Sequence, residues 1–311
     1  MRSELDICIV SDKWCDGNPN IGISNNYNNI IISLRKSLPD VDITLLHYDE
    51  LILKHGKHVD TVLPFVSADI FIFCFLGNSS INPSPRVIQS LKGKKIFIWP
   101  DTVWPWITDT IGSVTEYANL HVAFDGLPDK SIIPVEALSK FAGPDIDGIT
   151  PQNPDLYYPE EKEFDICFLG TTHSNRHLYI NKLKSLTKHR VALGGGQREG
   201  KLSAKDYSAI IRKSKICLNL PLSPTGKRQL KGRVVESIAS KTCVMEELPS
   251  PITGLLNHNQ FIPITSPENM IEVILSKTDG EIVDIANSAY QVYKDKCDPK
   301  TYWNNLLDKL D

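Results

Sequence analysis

Four cations stand close together just before a predicted helix in the second half of the chain. The stretch KRQLKGRVVESIA places Lys227, Arg228, Lys231 and Arg233 within seven positions, and Glu236 follows on the same helix face as the last arginine. Cations at a helix N-terminus oppose the helix dipole, so they stabilise the helix poorly. A bound diphosphate would supply the missing negative charge, and a carboxylate can accept both hydroxyls of a ribose. The pattern favours a nucleotide site over the alternative, a solvated basic loop with an Arg–Glu surface pair.

A second candidate lies in the stretch FLGTTHSNRH, where an apolar strand ends at Gly170. The hydroxyls of Thr171 and Thr172 follow, and Arg176 stands in the first turn of the next predicted helix. A glycine lets a ligand approach the backbone, and free N–H groups at a helix N-terminus attract phosphate. The arginine would add positive charge. The alternative is a plain capped turn between strand and helix.

Both candidates depend on a predicted alternation of strands and helices. In the first half LDICIV, DITLL, DIFIFCFL, KIFIW and LHVAF read as strands, and in the second half FDICFLG, RVALG, KICLNL and TCVM do. Continuous apolar strands separated by amphipathic helices indicate parallel sheets that are covered on both faces. The fold class is therefore α/β. Ligands of such sheets bind at the carboxyl ends of the strands, where both candidates lie.

The chain length and one change of composition predict two domains. At 311 residues the chain exceeds what one hydrophobic core usually serves. A stretch rich in Pro, Gly, Asp and Asn interrupts the alternation and reads as a linker. We therefore predict a Rossmann-like domain over residues 1–145, a linker over 146–163 and a second Rossmann-like domain over 164–311. The last helix of the second domain is a candidate for crossing back to the first.

The bulk composition argues against several classes of protein. The formal net charge is −3, which disfavours a nucleic-acid partner. No apolar run reaches the roughly 18 residues that a membrane span needs, and the N-terminus lacks a signal-peptide pattern. The seven cysteines form no CxxC pair, so we expect reduced core thiols and no metal site. These features predict a cytoplasmic location.

Four ordered blocks of the second half resemble the group 1 glycosyltransferases of the GT-B fold. The blocks are FDICFLGTTHSNRHLYINKLKSL, LSAKDYSAIIRKSKICLNLP, GRVVESIASKTCVMEE and FIPITSPENMIEVI. They are most similar to the CgeB/YkvP spore-protein-like branch, over roughly residues 150–311. The resemblance implies two Rossmann-like domains facing each other across a cleft, with a nucleotide-sugar, expected to be UDP-linked, in the second. The implied activity is transfer of the sugar to a glycan or other hydroxyl acceptor.

The resemblance also implies roles for residues of the second domain. Glu236 would hold the ribose, and Arg233 with its neighbouring cations would face the diphosphate. The loop at Gly170 and Thr171 would border the phosphates, and the segment around Asn219 would lie beside the base. We expect metal independence, because fixed donors and cations can stabilise the leaving diphosphate.

Two departures from the family pattern leave other functions open. Ser240 and Lys241 stand where the related proteins usually have a glycine after the glutamate helix. Arg228 stands where many retaining enzymes have a second glutamate, so the retaining mechanism does not transfer. A nucleotide-sugar epimerase and a non-catalytic nucleotide-sugar-binding protein remain as alternatives.

The first half carries the candidates for the acceptor side. Asp101 follows a predicted strand in IWPDTVWPW and is the expected general base, with Trp104 placed to stack on a sugar. An Asp after a strand is otherwise a common turn former. A loop that contains Gly17 and Gly22 resembles the one that follows the first strand of GT-B proteins. Two further aspartates also follow predicted strands: Asp12 and Asp125.

Overall fold

The computed structural model divides the chain into two compact units, which are described separately. One unit comprises Met1–Thr150 with Pro299–Asp311, and the other comprises Pro151–Asp298. The predicted domain ranges, residues 1–145 and 164–311 with a linker between them, stay a prediction. The residues that the structure describes are 5–75, 80–100, 113–124, 141–142, 149–195 and 202–310.

The first unit contains a six-stranded parallel sheet in the order β2-β1-β3-β4-β5-β6. Every residue of β3 is buried, which explains why this run is apolar without alternation. The first five strands confirm the predicted runs. The strands are β1 Asp6–Ser11, β2 Asp42–His47, β3 Ile70–Cys74, β4 Lys94–Trp99, β5 Leu120–Ala123 and β6 Phe141–Ala142.

Helices cover this sheet, and one of them comes from the end of the chain. The predicted helix after β1 is a π-helical turn, Tyr27–Ile31, that continues as the α-helix Ile32–Ser37. The C-terminal helix packs against it. There the buried indole of Trp303 donates a 2.9 Å hydrogen bond from Nε1 to Ser33 Oγ. The C-terminal helix is Pro299–Asp308, and the other α-helices among the described residues of this unit are Tyr48–His55 and Pro85–Ser90.

The second unit contains a five-stranded parallel sheet in the order β11-β10-β9-β7-β8. The chain leaves β7 for β8 on one side and returns to β9 on the other. The switch point of the topology therefore lies between β7 and β9, where sheets of this kind bind ligands. The strands are β7 Phe164–Leu169, β8 Val191–Gly194, β9 Ser214–Asn219, β10 Cys243–Glu247 and β11 Ile262–Ile264.

Two helices of the second unit begin at serine N-caps. Ser203 accepts a hydrogen bond from the backbone N–H of Asp206, and Ser266 accepts one from that of Asn269. Each bond satisfies a backbone donor that would otherwise lack a partner. The α-helices are Arg176–Lys184, Ala204–Arg212, Gly232–Ala239, Pro267–Ser276 and Asp279–Val292.

All seven thiols are free, and those in the predicted strands are buried. Within the described part of the chain, no helix is both long enough and apolar enough to cross a membrane.

The docking of the C-terminal helix can be tested through Trp303. Trp303→Ala removes a fully buried ring from the first unit, so we expect a loss of about 3–5 kcal/mol of stability there. Amide hydrogen exchange followed by mass spectrometry should then speed up in β1 and β3 and stay unchanged in β7 and β9. Leu275→Ala, at a side chain 64% exposed in the second unit, is the control. Faster exchange confined to the last helix would contradict the expectation.

Candidate functional site

The two loops at the switch point of the second unit carry candidate residues. Gly170 follows the last residue of β7, and Asn219 is the last residue of β9. Asn219 is fully buried, Thr171 is half-buried and Thr172 is exposed. The structure therefore brings the predicted phosphate loop and the predicted base segment to the same sheet edge.

The guanidinium of Arg233 lies over this edge. Its Nη1 donates to Asn219 Oδ1 at 3.2 Å and its Nε donates to the Tyr207 hydroxyl at 3.4 Å. Its carbon Cζ stands 5.4 Å from the centre of the Phe168 ring, a cation–π distance. A Cβ at position 170 would lie only 2.6 Å from Nη2. Gly170 is thus the residue that leaves room for the arginine.

Glu236 lies on the same helix and is only 5% exposed. Its Oε2 accepts a 3.0 Å hydrogen bond from the Tyr207 hydroxyl, so this tyrosine joins the carboxylate to Arg233. Tyr157 approaches from the segment before β7. Burial and the charge of Glu236 hold the pKa of the Tyr157 hydroxyl well above its usual value. Both phenols are therefore neutral donors at neutral pH.

A second carboxylate, which the sequence analysis missed, lies behind Asn219. Glu246 stands opposite Asn219 in the register of β9 and β10 and is fully buried. Its Oε2 accepts from Asn219 Nδ2 at 2.7 Å, and its Oε1 accepts from Ser250 Oγ at 2.5 Å. Burial raises the pKa of Glu246 to about 8. Two glutamates at the end of the apolar run TCVMEE were the available signal, because a buried strand seldom carries charge.

Arg176 is buried, whereas its predicted role beside a phosphate suggests an exposed side chain. It is 4% exposed, and its guanidinium donates to the backbone oxygens of Thr171, Leu220 and Leu222 at 3.1, 2.8 and 3.1 Å. Burial and then the charge of Arg233 lower its pKa to about 10. The side chain holds the loops that follow β7 and β9 in place. Arg176 would therefore act on a bound phosphate through its electrostatic field and through the shape of these loops.

Of the other predicted cations, Arg228 lies close to a carboxylate and Lys227 is exposed to solvent. Arg228 leans toward β10, where its Nη1 lies 3.5 Å from Glu247 Oε2. Glu247 also accepts hydrogen bonds from Tyr179 at 2.9 Å and Asn175 at 3.4 Å. Lys227 is exposed. The structure therefore pairs one of the four cations with a carboxylate that sequence reasoning did not consider.

Lys231 contributes to a positive potential at the start of the Glu236 helix. It is the N-cap residue and makes no side-chain cap bond, and the first helical turn contains no acid. Burial, the charge of Arg176 and the charge of Lys231, in that order, lower the pKa of His173 to about 4. Burial, the largest cause, disfavours a charge of either sign, but the contributions of Arg176 and Lys231 show a positive potential here that favours an anion.

The candidates of the first unit are only partly described. Asp101 and Trp104 lie outside the described residues, as does Asp125. Gly17 and Gly22 have φ values of 67° and 100°, in the left-handed region that favours glycine. The backbone bond from Cys15 N to Gly22 O, at 2.9 Å, closes their loop.

Asp12 follows the last residue of β1 in the same unit and is 2% exposed. Its Oδ1 accepts from Asn26 Nδ2 at 2.8 Å, and burial raises its pKa to about 6. Among the described residues, no group of three or more His, Cys, Asp or Glu side chains could hold a metal ion.

Comparison with solved structures identifies the fold. The crystal structure of HepE from Anabaena in complex with UDP and glucose matches with a TM-score of 0.62 at 10% identity, over 99% of both chains. AviGT4, a glycosyltransferase involved in avilamycin A biosynthesis, matches with a TM-score of 0.57 at 11% identity, over 98% of this chain and 97% of that one. The fold is GT-B. It consists of two Rossmann-like units, as the sequence predicted.

Three further results complete the comparison. A protein-family model described as glycosyl transferase-like matches residues 176–308. The chain also matches a proposed UDP-N-acetylglucosamine 2-epimerase from Listeria monocytogenes with a TM-score of 0.57 at 12% identity, over 98% of this chain and 95% of that one. No curated protein matches the chain. Membership of the CgeB/YkvP branch stays a prediction.

The positive potential at the site can be tested without a ligand. Lys231→Ala removes one of the charges that disfavour the imidazolium, so we expect the pKa of His173 to rise from about 4. An NMR titration of the histidine ring protons measures it directly. Lys227→Ala removes an exposed cation of the same segment and should leave that pKa unchanged. Equal shifts in the two variants would contradict this reading of the electrostatics.

Proposed function

We propose that this protein is a glycosyltransferase that transfers a sugar from a UDP-sugar to a glycan or other hydroxyl acceptor without a metal ion. The observation that carries the proposal is the link from Arg233 through the Tyr207 hydroxyl to Glu236 at the switch point of the second unit. A cation and a carboxylate in this place suit the diphosphate and the ribose of one nucleotide. HepE has the same fold and was crystallised with UDP and glucose, which supports uridine as the base.

In the proposed donor complex, Glu236 accepts hydrogen bonds from the ribose hydroxyls. Arg233 contacts the diphosphate, and Lys231, Arg228 and Lys227 add positive charge nearby. The loop of Gly170, Thr171 and Thr172 lies along the phosphates, and Arg176 supports that loop from beneath. The side chain of Asn219 is occupied by Arg233 and Glu246, so its neighbouring backbone is the part proposed to lie beside the base.

The proposed chemistry is stabilisation of the leaving diphosphate by fixed cations and uncapped helix amides. As the bond from the sugar to the diphosphate breaks, negative charge grows on the leaving oxygen, and the positive potential near Arg233 and Lys231 lowers its energy. A general base of the first unit then receives the acceptor proton, and Asp101 remains the proposed group. Metal independence is part of the proposal, and sugar transfer measured in excess EDTA tests it.

An epimerase is the second candidate, because the proposed 2-epimerase from Listeria monocytogenes shares the fold. The two activities differ in their need for an acceptor. Release of UDP that depends on an added acceptor supports the transferase. Isomerisation of the sugar without an acceptor supports the epimerase. A protein that binds the nucleotide and gives neither product is the non-catalytic alternative.

The donor site can be tested by thermal unfolding with UDP, GDP, ADP and CDP. A nucleotide at 100 times its dissociation constant should add about 2.7 kcal/mol of stability, and we expect this for UDP. Glu236→Gln keeps the size of the side chain and an acceptor for Tyr207, but it loses the charge that holds the ribose. Loss of a charged hydrogen-bond acceptor costs about 1.5–3 kcal/mol, so affinity should fall roughly 10- to 100-fold.

The matched control for that experiment is Glu272→Gln, which makes the same chemical change on an exposed face of the helix Pro267–Ser276. It should bind UDP like the wild type. If no nucleotide stabilises the wild type, the proposed donor site is wrong.

The placement of Arg233 can be tested through Gly170. In Gly170→Ala the new methyl group would stand 2.6 Å from Arg233 Nη2, so the guanidinium must move. We expect roughly tenfold weaker UDP binding, about 1.4 kcal/mol, with the fold retained. In an Arg233→Ala background the same change should cost little, because the two sites are coupled.

Gly170 also has a positive φ, so its substitution strains the backbone as well, and the control must share that strain. Gly56→Ala does, because Gly56 has a φ of 60° and a Cβ there meets no atom within 4 Å; this variant should bind UDP like the wild type. Isothermal titration of UDP into the four proteins of the cycle gives the coupling. Additive losses would show that Gly170 acts by a route other than Arg233.

A further inference from the structure

Five side chains of the second unit form one continuous hydrogen-bonded chain that ends on a carboxylate at each side. Glu246 accepts from Asn219 at 2.7 Å, and Asn219 accepts from Arg233 at 3.2 Å. Arg233 donates to Tyr207 at 3.4 Å, and Tyr207 donates to Glu236 at 3.0 Å. Only one end of this chain, Glu236, has a role in the proposed donor site. Glu246 at the other end needs its own explanation.

Glu246 is fully buried, so its role is not a direct contact with the ligand. Its two oxygens accept from Asn219 and Ser250, and the ionisable groups around it are Arg233 on the Glu236 helix and the Cys217 thiol on β9. The paired strand β11 places Pro263 opposite it, which has no charge. Arg233 is therefore the one cation that a charge on Glu246 would act on among these neighbours.

The two protonation states of Glu246 have different consequences for Arg233. A neutral carboxyl keeps its bond from Asn219, and Ser250 can turn its hydroxyl to accept the added proton. The full positive charge of Arg233 is then available to an anion. An ionised carboxyl cancels part of that charge.

We propose that Glu246 is a positioning residue for the donor diphosphate, that it acts on Arg233 through Asn219, and that its uncharged form is the one that binds the anion. This inference rests on the proposed donor site. Asn219 carries the effect because its amide oxygen and nitrogen are both occupied, so a change at one end moves the other.

The direction of the pH dependence follows from the raised pKa of about 8. Because the folded protein holds this proton more tightly than the unfolded chain, the contribution of Glu246 to stability is largest below about pH 4 and is lost as the pH rises through about 8. The affinity for UDP should fall in the upper part of the same range, as the uncharged form disappears. The terminal phosphate of UDP is already ionised there, since such groups titrate near pH 6.

The test is calorimetric titration of UDP between pH 6.5 and 9.5, with wild type, Glu246→Gln and Glu272→Gln. Glutamine mimics the neutral carboxyl, so its affinity should stay within about twofold across the range. The wild type and the Glu272→Gln control should both lose roughly tenfold between pH 7 and pH 9, the change expected for one proton over one unit beyond the pKa. Lys162 also titrates near pH 8, because burial lowers its pKa, and it is present in all three proteins.

A second measurement tests the inference on the wild type alone, without the Glu246→Gln variant. At pH 8 the wild type should take up about half a proton when UDP binds, because the anion favours the protonated form of a half-titrated group. Titrations in two buffers with different ionisation enthalpies measure this uptake. Release of a proton, or none, would overturn the inference.

The outcomes separate this inference from the function on which it rests. UDP binding that falls in parallel for wild type and Glu246→Gln overturns the role of Glu246 and leaves the donor site intact. A wild type that binds no UDP at any pH overturns the donor site, and the inference falls with it.

Discussion

The position of the Arg233 guanidinium is the constraint on which the second unit's site depends. A cation at the ends of buried strands needs partners, and the structure supplies Asn219, the Tyr207 hydroxyl and the Phe168 ring. It also needs space, which the missing side chain of Gly170 provides. Because several elements meet at this one group, a small displacement of any of them alters what the sheet edge offers to a ligand.

The sequence predicts the elements of the fold because their signals are local. Buried parallel strands appear as continuous apolar runs, and the caps at Ser203 and Ser266 involve residues three positions apart. The closeness of Arg233 and Glu236 was also predictable, since a helix places residues i and i+3 on one face. Gly170 and Asn219 could be placed at one edge because carboxyl ends of parallel strands lie together.

The partners of these residues could not be predicted, because they depend on the register between distant strands and helices. Glu246 meets Asn219 across 27 positions, and Tyr207 meets Glu236 across 29. The role of Arg176 was also invisible: its sequence position is that of a phosphate ligand, yet three carbonyl oxygens occupy it. No local pattern distinguishes an arginine that faces a ligand from one that supports a loop.

A buried arginine still affects a ligand that it does not touch. Arg176 is desolvated, so its charge is weakly screened and acts on its surroundings over several ångströms. Burial is the largest cause of the lowered pKa of His173, and the charge of Arg176 comes next, ahead of that of Lys231. The site therefore combines a cation at the sheet edge with one beneath the loop. A neutral Glu246 behind Arg233 leaves the positive charge of both arginines intact. An ionised Glu246 would cancel part of the charge on Arg233, the arginine that is proposed to contact the anion.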